Sequence, residues 1–105
     1  MKTAVKTESV IETLGYSREE AAVCAMRVHL ADEIRAFIKT KRLTQTVAAE
    51  FFGVSQPRIS NVLNDRLDDF TIDYLVKMVS RTGRTPRVSF ARSKSAPNQH
   101  RVSAS

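Results

Sequence analysis

Gln56, Arg58 and Asn61 place two carboxamides and one guanidinium within six consecutive positions. A carboxamide presents a donor beside an acceptor, which suits the N6 and N7 edge of adenine. A guanidinium presents parallel donors, which suit O6 and N7 of guanine. On a helical wheel Pro57, Ser60, Asn61 and Asn64 share the polar side, Arg58 flanks it, and Gln56 stands at the helix start. The same residue types also suit an ordinary solvated helix face. The elements that carry them decide between the two.

Residues 44–64 read as two short helices hinged at Gly53. Ala49 falls where the two helices would cross most closely, and Gly53 where the backbone must turn with positive φ, at little cost to glycine and a large one to a β-branched residue. Val54, Ile59 and Val62 are spaced to point inward toward Ala48 and Phe52. Ser55 suits the N-cap of the second helix, and Pro57 lies in its first turn, where a missing N–H is no loss. This is the layout of a helix-turn-helix that reads double-stranded DNA, with the start of its second helix entering the major groove.

Leu43-Thr44-Gln45, Ala49, Gly53-Val54-Ser55-Gln56-Pro57 and Ile59-Ser60 resemble the Xre family of lambda-repressor-like regulators, without a gap across the motif. The resemblance implies an all-α domain of about five helices. It implies that Gln56, Arg58 and Asn61 face bases, that Gln45 touches a phosphate and braces Gln56, and that Ser60 and Asn64 lie near the DNA backbone. The family usually places glycine after the second helix, whereas this chain has Asn64-Asp65, two residue types that tolerate a left-handed cap.

A looser pattern is similar to a subgroup that includes HigA-like antitoxins. It comprises Leu14-Gly15-Tyr16-Ser17, Glu19-Glu20-Ala21-Ala22, Phe70-Thr71-Ile72-Asp73 and a basic strand after Gly83, over roughly residues 10–91. That similarity implies repression of the chain's own operon and direct binding of a RelE-like ribonuclease toxin.

A chain of 105 residues fits one domain with one modest core. It has no run of eighteen apolar residues and no apolar stretch behind a basic start, so the expectation is a cytoplasmic protein without a membrane span or leader. The lone Cys24, in the apolar run 21–26, suits a buried, inert thiol. His29 and His100 have no companions at metal spacing, and Asp65, Asp68, Asp69 and Asp73 lack a calcium-loop register. With no nucleophile beside a base and no phosphate loop, neither an enzyme nor a cofactor or metal is expected.

The net charge of +6 points to a polyanionic partner, but it is unevenly spread. Residues 1–40 carry six basic and six acidic groups, 41–75 four and five, and 76–105 seven and none. Lys41, Arg42 and Arg58 must therefore neutralise most phosphate unless Lys77, Arg81, Arg84 and Arg87 fold beside the motif. Ser55 joins Lys41, Arg42, Gln45, Ser60 and Asn64 as the set expected along the DNA backbone. So few phosphate contacts favour binding as a homodimer.

Three segments follow: a flexible lead over 1–13, the DNA-binding domain over 14–91 and a disordered basic tail over 92–105. Val10, Ile11 and Leu14 are candidates to dock on the core. Ser17 and Glu20 form a capping box that opens a long helix to about Lys41, with Val23, Met26, Leu30, Ile34, Phe37 and Ile38 as its core stripe. Ala22, Cys24, Ala25 and Ala31 widen that stripe toward the core or a partner. Thr71 caps a further helix to about Thr82, with Tyr74, Leu75, Met78 and Val79 inward. Residues 87–91 alternate as a short strand would. With no second strand in the chain, they either pair with another subunit or a partner protein, or pack loosely on the last helix.

Overall fold

A computed structural model describes residues 15–92. Among them are four helices: α1 Arg18–Thr40, α2 Gln45–Phe52, α3 Gln56–Leu63 and α4 Ile72–Ser80. Every helix opens on a hydroxyl N-cap, at Ser17, Thr44, Ser55 and Thr71, each accepting the N–H three residues on. At α1 the capping box is complete, because the Glu20 carboxylate accepts the Ser17 N–H at 3.1 Å in return. The all-α architecture is the expected one.

The core joins Leu30, Ile34 and Ile38 of α1 to Ala48 and Phe52, Ile59 and Val62, Leu67 and Phe70, and Leu75, Met78 and Val79. Phe37 stacks on Phe51 at 5.0 Å and meets Phe52 edge-on at 5.9 Å, fastening the end of α1 to α2. Val23 and Met26 depart from the expected core stripe: both are exposed, while Ala21 and Ala25 are buried. The reason is length. At 23 residues α1 extends about 34 Å, whereas helices of eight or nine residues extend about 12–14 Å and cannot cover it. Ala22 is exposed and Cys24 is half-buried rather than enclosed.

Helix α4 stops at Ser80 and not near Thr82, since the N–H groups of Arg81, Thr82 and Gly83 reach back only three residues. No strand forms among the described residues, and 87–91 are neither helix nor strand. A lone strand has nowhere to place its backbone hydrogen bonds. Val88 and Phe90 of this stretch are 64% and 94% exposed. A fifth helix does not occur among the described residues, and Val10, Ile11 and Leu14, with the lead over 1–13 and the tail beyond Arg92, lie outside them. No helix among the described residues is long and apolar enough to cross a membrane.

Candidate nucleic-acid interface

The hinge between α2 and α3 follows from backbone bonding. Gly53 adopts φ 67° and ψ 36°, and its N–H reaches Glu50 while that of Val54 reaches back to Ala49 at 3.0 Å, a Schellman closure. The Arg81 guanidinium lies against this turn and donates to the Phe51 carbonyl at 3.2 Å. A methyl group on residue 53 would stand 3.1 Å from Arg81 Nη2. Glycine is thus favoured by its left-handed dihedral angles, and any larger residue would also have to displace the Arg81 guanidinium slightly. Ala49 is buried as the crossing demands, and Val54 packs half-buried against the core.

Helix α3 is fixed on its inner side by Ile59 and Val62, both fully buried. Its far end closes on Asp65, which takes the left-handed conformation at φ 58° where glycine was the expected type. The N–H of Arg66 reaches Asn61 at 2.8 Å and that of Asp65 reaches Val62, so the turn keeps the Schellman pattern. Asn64 stays at φ −107°, and its amide donates to the Ser60 carbonyl at 2.9 Å, tying it to its own helix. Arg35 completes the end: its Nη1 donates to the Val62 carbonyl at 2.6 Å, pairs with Asp65 at 2.9 Å, and its Nη2 pairs with Asp32. A cation on terminal carbonyls is favourable in the helix dipole as well.

The polar side of α3 is then presented outward. Gln56 is exposed at its first position, Asn61 is half-buried, and neither side chain is hydrogen-bonded within the described residues. The Ser55 hydroxyl accepts the Arg58 N–H at 3.3 Å. Arg58 turns sideways, toward the start of α4. Its Nη1 donates to the Asp69 carbonyl at 3.0 Å, and its guanidinium carbon stands 4.7 Å and 5.0 Å from the Phe70 and Tyr74 ring centroids. Gln45 is exposed at the start of α2, and Lys41 and Arg42 are exposed at the end of α1. Lys41 Nζ lies 5.9 Å from the Phe37 ring, and Arg42 holds φ 55°.

Of the basic residues beyond position 76, Arg81 does reach the motif, at Phe51 and Gly53. Arg84 instead pairs with Glu33 of α1 at 3.2 Å. At the α4 start the Asp73 carboxyl is held below its usual range, first by the Thr71 hydroxyl, then by backbone N–H groups and Lys77. Sequence reasoning missed Arg35 and the ring pair under Arg58, and named Arg81 only as one of four cations that could fold beside the motif, without its partners. These contacts span 27, up to 16 and 30 positions respectively, beyond any helical periodicity.

The family described as "Helix-turn-helix domain" matches residues 10–90. A solved structure described as an XRE family transcriptional regulator has the same fold, with a TM-score of 0.64 at 23% identity, over 73% of this chain and 86% of that one. No curated protein matches the chain.

Proposed function

The chain belongs to the helix-turn-helix domain family, and from that premise we propose that it is a sequence-specific DNA-binding transcription regulator, a repressor acting as a dimer on an inverted-repeat operator. One observation carries the reading. Helix α3 is anchored on its inner face and at both ends, while the carboxamides of Gln56 and Asn61 on its outer side are committed to nothing else. Preorganised donors and acceptors of this kind suit base edges in the major groove. Gln56, Arg58 and Asn61 read bases. Lys41, Arg42, Gln45, Ser55, Ser60 and Asn64 hold the DNA backbone, and Arg81 adds charge at the hinge.

Selection of bound sites from random duplex DNA with the full chain, followed by footprinting, tests this proposal. The expected site is an inverted repeat with half-site centres about one helical turn, roughly 34 Å, apart. Enrichment of no sequence would refute it.

A second reading, neutralisation of a RelE-like toxin, is favoured by uncovered apolar surface. Val23 and Met26 of α1 and Val88 and Phe90 of the final stretch are exposed, and an open groove of about 930 Å³ runs between α1, α4 and residues 84–91. Co-purification with a basic protein encoded beside this chain's gene supports it. A stable dimer that ignores such a protein argues for the regulator alone.

A further inference from the structure

We propose that Phe70 and Tyr74 form a seat that orients the Arg58 guanidinium for base readout, making Tyr74 a positioning residue that sets specificity without touching DNA. The inference rests on Arg58 acting as a base reader. Phe70 is buried and meets Tyr74 edge-on at 5.5 Å and 67°, so the two rings make a corner rather than a flat wall. Arg58 lies against both rings, and Nη1 is tied to the Asp69 carbonyl. The rings restrict the plane of the group, and the carbonyl restricts its rotation.

An arginine on an exposed helix flank otherwise has many rotamers to lose when it binds. A seat that removes them beforehand improves the bound state without adding a contact to it. These interactions use the face of the guanidinium and Nη1. Its other edge, Nε with Nη2, is a donor pair of the spacing that O6 and N7 of guanine require. The Tyr74 backbone is held in the first turn of α4, where its N–H donates to the Thr71 hydroxyl at 3.1 Å, and its ring packs edge-on against buried Phe70. The orientation of Arg58 is thereby referred to α4 as well as to its own helix.

The test uses the full chain and the duplex that its own selection enriches, with every single-base-pair variant of one half-site. Arg58→Ala should flatten discrimination at one base pair. Tyr74→Leu should lower discrimination at that same pair by about three- to tenfold, the range expected for a partly desolvated cation–π contact. It should leave the other positions alone, Tyr74→Phe should keep wild-type discrimination, and Tyr74→Leu should add nothing when Arg58 is already alanine. A merely weakened fold lowers binding to all duplexes together and leaves these ratios unchanged.

The seat is overturned if Tyr74→Leu leaves the ratio intact, changes it at other pairs, or still changes it in the Arg58→Ala background. If Arg58→Ala itself alters no pair, the Arg58 assignment fails and the seat fails with it. If Arg58→Ala acts and Tyr74→Leu does not, the seat alone fails. A selection that enriches no duplex overturns both.

Discussion

Arg35 ties the end of α3 to α1. It donates to the Val62 carbonyl and pairs with Asp65, with its side chain 21% exposed. Arg35→Met should destabilise the fold by about 1.5–3 kcal/mol, the range for hydrogen bonds to charged groups, as read from denaturant midpoints. Asp73 supplies a pH signature. Because its folded carboxyl titrates below its unfolded range, its stabilisation is complete above the unfolded value and is lost as pH falls through the folded one. The stability difference between wild type and Asp73→Asn should therefore be greatest near neutrality and vanish in acid. A constant difference across the titration would contradict that assignment. The Arg35 role was not legible from the chain alone. The carboxylates over 65–73 looked like loop and helix-end groups, which fits Asp73, but nothing near Asp65 in sequence indicates Arg35.

At the scale of elements, Gly53 was readable in the sequence because its requirement is local: a left-handed turn between two amphipathic segments. Gly53→Ala should cost about 1–2 kcal/mol for the dihedral alone. It should cost less in an Arg81→Ala background, where the 3.1 Å contact is relieved; an unchanged cost would show that Arg81 yields freely. Arg42 presents the complementary case, a long side chain at φ 55° where glycine is easier. Arg42→Gly should raise stability, by up to about 1 kcal/mol, while lowering the salt dependence of DNA binding by about one phosphate. Thermal melts and a salt titration separate the two effects. Caps, hinge and the inner faces of α2, α3 and α4 were legible because each follows from neighbours within four residues. The burial pattern of α1 was not, because Val23 and Met26 keep the right periodicity on a helix that outruns the helices able to cover it.

For the whole molecule, the charge distribution sets the limits. The fold brings Arg81 to the hinge but commits Arg84 to Glu33, so of these two arginines only one adds its charge to the motif. A single chain then has geometry for readout but few phosphate contacts, which is why the proposed repressor is a dimer. The all-α class followed from caps and periodicity, but the described residues hold four helices where about five were expected, and the run 87–91 had the alternation of a strand without a partner to pair with. What remains central is that the outer side of α3 reads sequence. The most direct test repeats the binding-site selection with Gln56→Ala and with Asn61→Ala, each compared with the wild-type motif. The expected result is relaxation at one different base pair per half-site for each variant, with discrimination there falling by about 1–3 kcal/mol and the rest of the motif retained. Recovery of the unaltered wild-type motif by both variants would contradict the account.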